Sequence, residues 1–347
     1  MEENSSYLKF SYAGEIADDA LAVVAKERSG EQLGLYTDLE LLNRSMGKYF
    51  RFNTVNLWAG LSGHGKSYML NQLNRSFLDL NLNGGFGFKV VVLQFCFEMS
   101  AVNEILRACA ADLGMSYSTL LSSQYDKESK GYNTLSDEDF ARVTNFLNHY
   151  KSKNIIFIEN SGNVGMIYNT VKHIVTGMKG KNPAINFKFV VNIDHTLLID
   201  KLGERDLLEL MLNTGKLAIQ LRKHFECMVN LVGQLNNNIE SVPRITNKAL
   251  HYPQKSDIYA QGQIYNACDN VYVIHQPQLL KIAEYGMLKY PTKDLIHLSK
   301  LKSRHGIVGN IWLKDNLSEG KIISADLSNS EKTDDKDEQL AHLPVIK

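Results

Sequence analysis

The order of apolar and polar residues predicts strands that alternate with helices from residue 54 to residue 235. Short runs that are almost entirely apolar predict strands, and longer runs with one apolar face predict helices. The predicted strands are 54–60, 89–97, 154–160, 187–195 and 227–235. The predicted helices are 66–80, 100–114, 135–152, 163–179 and 206–225. Apolar strands separated by helices are typical of an α/β fold with a parallel central sheet covered on both faces.

Both ends of the chain follow a different pattern. Residues 15–29 have apolar side chains at helical spacing, which predicts a helix that precedes the main core. After residue 265, four apolar runs without helices between them predict antiparallel strands that continue the sheet edge: 270–276, 295–301, 309–315 and 321–327. The polar, mixed-charge end of the chain is expected to be flexible. We therefore divide the chain into an N-terminal arm with a linker helix (1–33), a main domain (34–328) and a tail (329–347).

Composition narrows the class of protein. The 347 residues are 44% hydrophobic, enough for a sizeable core. The 38 basic and 38 acidic residues balance, so binding of nucleic acid would need a local patch or an assembled ring. The four cysteines form no C-x-x-C pair, and most lie in apolar stretches, which favours buried thiols. The sequence has neither a signal peptide nor an apolar run of ~18 residues, so we expect a cytoplasmic protein without a membrane span.

The stretch GLSGHGKS, residues 60–67, comes directly after an apolar strand and directly before a helix. Its spacing is the phosphate-binding pattern G-x-x-x-x-G-K-[ST]. Glycines let the backbone present N–H groups to an anion, and the following helix directs its positive dipole end to the same point. The structural alternative is a glycine-rich turn capped by a serine. The residues predicted to bind ATP are Gly60, Ser62, Gly63, His64, Gly65, Lys66 and Ser67, with Ser67 also on Mg²⁺.

Three polar residues end predicted strands on the side where a parallel sheet binds ligands. Asp194 follows an apolar strand, as the acid that holds a metal-bound water does; the alternative is an aspartate that caps the next turn. Glu98 could polarise an attacking water, or it could simply be an acid at a helix N-terminus. Gln234 could contact the γ-phosphate and report its loss to the loop that follows, or it could bond to backbone.

The order of these motifs resembles the ATPase domain of DnaB-type replicative helicases in the RecA-like superfamily. The resemblance covers about residues 34 to 315, and its phosphate-binding loop is the most specific single piece. It implies a RecA-like P-loop NTPase core with C-terminal antiparallel strands, and ATP and Mg²⁺ as ligands. The resembling pieces are GLYTDLELLN, GLSGHGKS, FEMS, LSDEDFARV, NIDHTLLI, GQLNNNIE, SDIYAQGQIYNACDNVYVI and LSKLKSRHGIVGNIWL.

The resemblance also implies roles for individual residues. Glu98 would be the catalytic base, Asp194 the Walker B acid and Gln234 the γ-phosphate sensor. Arg304, in KSRHG, would be an arginine finger that reaches into the neighbouring subunit's site, accompanied by Lys302. The structural alternative for this pair is a solvated hairpin turn. The residues assigned to the family's DNA-binding loop, 255–263, are Lys255, Tyr259, Ala260, Gln261 and Gly262.

The sequence departs from typical members at four of these positions. Gln261 and Tyr259 stand where the loop usually has a glutamate and an arginine, and His195 and Asn237 replace a usual tyrosine and arginine. The family's N-terminal scaffold domain, which meets primase, is not recognised. A domain of this kind standing alone favours a phage or mobile-element origin.

Two functions are compatible with this sequence. The first is a homohexameric, ATP-driven DNA helicase that moves 5′ to 3′ on single-stranded DNA, with a primase or a helicase loader as a further partner. The alternative is a RecA-like, ATP-controlled DNA-binding or recombination protein without unwinding activity. Arg304 and its hairpin favour the helicase.

Overall fold

The structure is a computed structural model that describes residues 10–85, 87–316 and 320–325, apart from the side chain of Gln261. The predicted tail, 329–347, lies outside these residues. The helices are α1 Ala13–Arg28, α2 Glu40–Ser45, α3 Lys66–Phe77, α4 Leu80–Asn83, α5 Ala101–Leu113, α6 Tyr117–Leu120, α7 Asp137–Tyr150, α8 Val164–Lys181, α9 Leu207–Phe225, α10 Val242–Thr246 and α11 Gln261–Ala267.

The strands agree with the sequence prediction to within a few residues, and several two-residue strands are additional. They are β1 Gly34–Leu35, β2 Phe50–Arg51, β3 Val55–Gly60, β4 Lys89–Cys96, β5 Tyr125–Asp126, β6 Gly131–Tyr132, β7 Ile155–Ile158, β8 Phe187–Asp194, β9 Met228–Gln234, β10 Asn270–His275, β11 Glu284–Tyr285, β12 Tyr290–Pro291, β13 Leu295–Ser303, β14 Gly309–Asn316 and β15 Lys321–Ser324.

Within the described ranges, nine strands form one mixed sheet in the order β15-β14-β13-β10-β3-β9-β8-β4-β7. The six strands from β10 to β7 run parallel, and β13, β14 and β15 continue the sheet in antiparallel fashion. This confirms the predicted α/β fold with a mainly parallel sheet and antiparallel C-terminal strands.

One part of the strand prediction is wrong. Residues 270–276 were expected to be an antiparallel strand near the edge, but β10 lies inside the sheet and runs parallel to β3, with Asn270 opposite Asn56. Only its other side pairs antiparallel, with β13. The reason is α11, which precedes β10 as the crossover helix that a parallel neighbour requires. With seven residues, α11 is too short to show helical periodicity in the sequence.

Helices cover both faces of the sheet. On one face, apolar side chains of α8 and α9 pack against β3, β4, β8 and β9; on the other, α2 and α3 pack against a second apolar cluster that includes Trp58 and Phe77. The predicted helix 66–80 ends at Phe77, because Asp79 caps a new short helix by accepting a hydrogen bond from the Asn81 N–H at 2.8 Å. Helices α5, α6 and α7 share a third, smaller cluster.

A row of buried amide side chains crosses the sheet on the face covered by α3. Neighbouring strands contribute one residue each, and consecutive side chains are hydrogen bonded over 2.8 to 3.0 Å. The row is extended to α3 through Asn74. Its members in the sheet are Gln94, Asn192, Asn230, Asn56 and Asn270.

The N-terminal helix α1 has no buried residue, and Ile16, Leu21 and Val24 are exposed on it. Its contact with the main domain runs through Glu27, which accepts a hydrogen bond from the Tyr49 hydroxyl and pairs with Arg51 at 3.1 Å. A helix with an apolar side that the described residues do not cover needs another surface to bury it.

Candidate functional site: a phosphate-binding loop at the carboxyl edge of the sheet

Four predicted site residues meet where the parallel strands end. Gly60 at the end of β3 lies opposite Gln234 at the end of β9, and Asp194 at the end of β8 lies opposite Cys96 at the end of β4. Glu98 follows β4 by two residues. Because parallel strands end at one edge, residues that are far apart in the sequence form one site.

The phosphate-binding loop needs its glycines. Gly63 and Gly65 adopt φ values of +78° and +94°, which side chains other than glycine rarely adopt. A Cβ atom on Gly60 would lie 2.8 Å from the carbonyl oxygen of Ile274. The loop therefore passes close to β10, and α3 begins directly after Gly65 with its first turn facing the loop.

Lys66 is buried at the base of this loop. Its Nζ donates hydrogen bonds to the carbonyls of Gly60 at 3.0 Å and Leu61 at 2.9 Å, and to Gln234 Oε1 at 3.1 Å. Burial lowers the pKa of the ammonium group, and the charges of Glu98 and Asp194 oppose that effect. The arrangement holds one cation among neutral oxygens, where an anion would be a stronger acceptor.

Asp194 lies beside Ser67 and is 4% exposed. The Ser67 hydroxyl hydrogen bonds to this carboxylate, while burial, with the charges of Glu104 and Glu98, raises the pKa of Asp194 to about 7. Its Oδ1 is buried and has no hydrogen-bond partner within the described ranges. A buried carboxylate with an unpaired oxygen beside a hydroxyl is a donor set that suits Mg²⁺.

Glu98 lies in the exposed turn that follows β4. It is close enough for its charge to affect the pKa values of Lys66, Asp194 and His195. The structure thus places the predicted base beside Lys66 and Asp194, on the side of the site that is open to solvent.

His195 joins the site although the sequence analysis noted it only as a departure. Its Nε2 lies 3.3 Å from Gln234 Oε1, and its Nδ1 accepts a hydrogen bond from the Leu197 N–H at 3.3 Å. Burial lowers the pKa of this imidazole. Because Nδ1 accepts the Leu197 N–H, the proton of the neutral ring lies on Nε2. Gln234 Oε1 therefore accepts from both Lys66 and His195.

Glu104 was missed by the sequence analysis. It lies on α5, is 4% exposed, and accepts a hydrogen bond from Asn71 Nδ2 at 3.3 Å. Burial raises the pKa of Glu104, and after burial its charge is the largest influence on the pKa of Asp194. Glu104 shares the buried face of α5 with Ala108 and Ala111. A charged residue at such a helical spacing is the feature of the sequence that could have identified it.

The predicted DNA loop is tied directly to Gln234. The Tyr259 N–H donates to the Gln234 carbonyl at 3.0 Å, and the Asn236 N–H donates to the Asp257 carbonyl at 2.7 Å. Lys255, Tyr259 and Gly262 are exposed on the loop, and Ala260 has a left-handed φ of +51°. The backbone of Gln261 begins α11, whereas its side chain lies outside the described residues.

Arg304 and Lys302 lie at the opposite side of the sheet, where the parallel strands begin. Arg304 follows β13 and is 50% exposed, and its Nε lies 3.3 Å from Asp269 Oδ1. Asp269 is also bound by Arg222 and by the Val55 N–H at the start of β3. The six residues of β3, about 17 Å of strand, thus separate Arg304 from the phosphate-binding loop of the same subunit.

Lys302 does not point freely into solvent beside Arg304. Its Nζ donates to the backbone carbonyl of Tyr265 in α11 at 2.9 Å and lies 5.0 Å from the centre of the Tyr265 ring. Lys302, which was predicted to accompany Arg304, is therefore hydrogen bonded to α11, the helix in which the DNA loop ends.

Across the part of the chain that the structure describes, no helix is both long and apolar enough to cross a membrane. Within the same ranges, no three His, Cys, Asp or Glu side chains are grouped in a way that could hold a metal ion. The candidate Mg²⁺ position therefore depends on Asp194 and Ser67, with ligands supplied by phosphates and water.

Comparisons with known proteins agree with this fold. A family model described as "DnaB-like helicase C terminal domain" matches residues 34–319. A solved structure described as an ATPase domain is similar with a TM-score of 0.69 and 17% identity, covering 89% of this chain and 98% of that one. A DnaB-like replicative helicase, described with its interactions with primase, has a TM-score of 0.69 and 17% identity over 92% of this chain and 68% of that one. A search of curated protein sequences finds no match.

Proposed function

The chain belongs to the DnaB-like helicase family and hydrolyses ATP; on this premise we propose that it forms a homohexamer that unwinds DNA by moving 5′ to 3′ along single-stranded DNA. The observation that carries the proposal is the separation of Arg304 from its own phosphate-binding loop by the length of β3. Arg304 lies at the amino ends of the parallel strands, and the phosphate-binding loop lies at their carboxyl ends. The two can therefore form one ATP site only if they come from different subunits.

ATP binding is assigned to the loop at the end of β3. Lys66 contacts the β- and γ-phosphates, and the N–H groups of 60–67 surround them. Asp194 and Ser67 would hold Mg²⁺, which fits the unpaired Oδ1 and the neighbouring hydroxyl, and the bound ion would neutralise phosphate charge. Glu98 orients the attacking water and accepts its proton at the carboxylate.

Arg304 completes the site of the neighbouring subunit. Its guanidinium is exposed, and Asp269 would keep Arg222 and the Val55 N–H as partners when Arg304 leaves it. Moving the finger to a phosphate therefore leaves no buried charge unpaired. This favours a finger that can exchange one anionic partner for another.

Gln234 links nucleotide state to DNA binding. Its side chain is bonded to Lys66, and its backbone carbonyl is bonded to Tyr259 in the DNA loop. When a phosphate draws Lys66 away, Gln234 Oε1 keeps His195 as its partner, the amide Nε2 can donate to the γ-phosphate, and the 255–263 loop moves with the Gln234 carbonyl. The DNA contacts assigned to Lys255, Tyr259, Ala260, Gln261 and Gly262 would shift accordingly.

The N-terminal arm is proposed to hold the ring together. Ile16, Leu21 and Val24 on α1 are more than half exposed, and α1 buries no residue of its own. A second copy of this chain would cover that apolar side. A primase or a helicase loader is proposed as a further partner, since a structural neighbour is described with its primase interactions.

The second candidate is a RecA-like, ATP-controlled DNA-binding or recombination protein without unwinding activity. The observation that favours it is the DNA loop, because residues 255–263 contain one basic residue, Lys255. Weak electrostatic attraction to DNA would suit a protein that binds DNA without pulling on it.

Strand displacement tests the two candidates. Partial duplex DNA with either a 5′ or a 3′ single-stranded tail is incubated with the protein and ATP. Lys66→Ala is the inactive control. Unwinding of 5′-tailed substrate alone supports the helicase. Electron microscopy with a non-hydrolysable ATP analogue and single-stranded DNA separates six-membered rings from filaments. Filaments without strand displacement would overturn the proposal in favour of the recombination protein.

A further inference from the structure

Helix α11 lies between the DNA loop and β13, the strand that Arg304 directly follows. It begins at Gln261, next to the loop at the carboxyl edge of the sheet, and its chain continues to Asp269 at the opposite edge. Near its end, the Tyr265 hydroxyl donates a hydrogen bond to the carbonyl of Leu301 at 3.1 Å. Lys302 Nζ donates to the Tyr265 carbonyl in the opposite direction. Two reciprocal bonds thus join α11 to the strand that leads to Arg304.

Leu301 is the extra residue of a β-bulge. Lys302 lies opposite Val271 and Lys300 lies opposite Tyr272, so Leu301 has no opposite residue in β10. A bulge bends the strand and redirects the side chains that follow. The carbonyl that Tyr265 binds therefore belongs to the bulged residue itself, three positions before Arg304.

The ring of Tyr265 also faces the DNA loop. Lys255 Nζ lies 4.6 Å from its centre, and Lys302 Nζ lies 5.0 Å from the same centre. The two ammonium groups repel each other, although the ring attracts both. A DNA phosphate that draws Lys255 away would leave the ring to Lys302 alone.

We propose that Tyr265 is a positioning residue that links DNA at the 255–263 loop to the aim of Arg304. DNA moves Lys255 and the first turn of α11, and Tyr265 passes that displacement to the bulge at Leu301 through its hydroxyl. The inference rests on the proposed function, because it requires Arg304 to act as the finger.

Tyr265→Phe tests this by removing the hydroxyl and keeping the ring between its two lysines. Tyr168→Phe is the matched control: Tyr168 also packs against the main core, and its hydroxyl bonds to His224 Nδ1 at 2.9 Å on a different pair of helices. The measurements are kcat and KM for ATP with and without saturating oligo-dT, affinity for a labelled oligo-dT, Tm, and hydrogen exchange of residues 302–306.

Tyr265→Phe should lower kcat in the presence of oligo-dT by about threefold to tenfold, the effect of one lost hydrogen bond. The value of kcat without DNA, KM for ATP and oligo-dT affinity should stay at wild-type values. Exchange of residues 302–306 should be faster in this variant alone. Tyr168→Phe should change none of these quantities.

Wild-type kcat with oligo-dT, or an equal loss with and without it, would overturn the inference. If Tyr265→Phe lowers Tm more than the control does, hydrogen exchange of the wild-type protein is measured with and without oligo-dT. A change in exchange at residues 302–306 on adding oligo-dT supports the link, and unchanged exchange refutes it. Arg304→Ala in the same assay separates the two proposals. If it turns over ATP normally, the finger assignment itself fails; if it is inactive while Tyr265→Phe is normal, this inference alone fails.

Discussion

Lys66 Nζ donates a hydrogen bond to Gln234 Oε1 over 3.1 Å, which joins the phosphate-binding loop to the end of β9. The other two acceptors of this ammonium group, the carbonyls of Gly60 and Leu61, are also neutral. Phosphate oxygens carry negative charge and are stronger acceptors. We therefore expect ATP to take Lys66 from Gln234, so that one lysine both binds the nucleotide and releases the residue that senses it.

Lys66→Ala should abolish ATP turnover while the protein remains folded. The substitution removes the only side chain that the loop is assigned to place on the β- and γ-phosphates, and alanine is a good helix former at the start of α3. Phosphate release measures turnover, and circular dichroism with Tm measures folding. Lys172→Ala, on the exposed side of α8, is the control and should behave as wild type. Normal turnover in folded Lys66→Ala protein would contradict the loop assignment.

Glu98→Gln should bind nucleotide and fail to hydrolyse it. Glutamine keeps the shape of the side chain but cannot accept a proton, and general-base catalysis contributes about 10²- to 10⁴-fold. A fluorescent ATP analogue measures affinity, and single-turnover kinetics measure hydrolysis. Glu138→Gln, at an exposed position of α7, should leave both unchanged. A collapse of affinity with near-normal turnover would assign Glu98 another role.

Asn192→Ala should lower the free energy of unfolding by about 2 to 4 kcal/mol, because it leaves buried amides without partners. Asn192 Nδ2 donates to Asn74 Oδ1 at 2.6 Å and to Gln94 Oε1 at 2.8 Å, and its Oδ1 accepts from Asn230 at 2.8 Å. Urea unfolding measures the change. Asn182→Ala, at the exposed end of α8, should cost much less. Equal effects of the two substitutions would show that the amide row contributes little.

His297→Gln should reduce the loss of stability in acid. His297 is fully buried between the Tyr285 hydroxyl and Asn310 Oδ1, and burial lowers its pKa to about 4. The unfolded chain binds this proton near pH 6.5, so the folded state loses up to about 1.4 kcal/mol per pH unit as the pH falls from 6.5 to 4. Glutamine cannot take up the proton, so this part of the loss disappears.

Urea unfolding of wild type and His297→Gln between about pH 7.5 and pH 4.5 measures the difference in slope. His173→Gln, at an exposed position of α8, is the control and should keep the wild-type slope. Parallel curves for wild type and His297→Gln would mean that the folded protein binds this proton as readily as the unfolded chain does, which contradicts the lowered pKa.

The sequence predicted those parts of the fold that depend on local patterns. The phosphate-binding loop is set by glycine conformations and by the strand and helix beside it, which all lie within residues 54–80. Asp194, Glu98 and Gln234 were also predicted to lie at one side of the sheet, since each lies at or just after the end of an apolar strand and parallel strands end together. The structure brings these residues together, and their roles remain predictions.

Other features depend on pairing between distant segments. The place of β10 follows from a seven-residue helix, and the amide row requires the register of five strands at once. The polar residues of that row interrupt strands that are otherwise apolar. The sequence therefore shows that they are unusual but not which side chains they bind. The contact of Lys302 with Tyr265 likewise joins positions that are 37 residues apart.

The last prediction tests whether Arg304 acts across a subunit boundary. Lys66→Ala and Arg304→Ala proteins should each be inactive alone, since an arginine finger contributes about 10³- to 10⁵-fold to turnover. After mixing and subunit exchange, some interfaces pair an intact phosphate loop with an intact Arg304, and those interfaces should hydrolyse ATP. The structure makes the alternative demanding: for Arg304 to serve its own loop it would have to leave Asp269 and cross the length of β3. Phosphate release from mixtures of varied ratio should peak at intermediate composition. A flat, inactive series would mean that no single interface can act alone, and normal turnover by Arg304→Ala with single-stranded DNA would remove the finger from the mechanism.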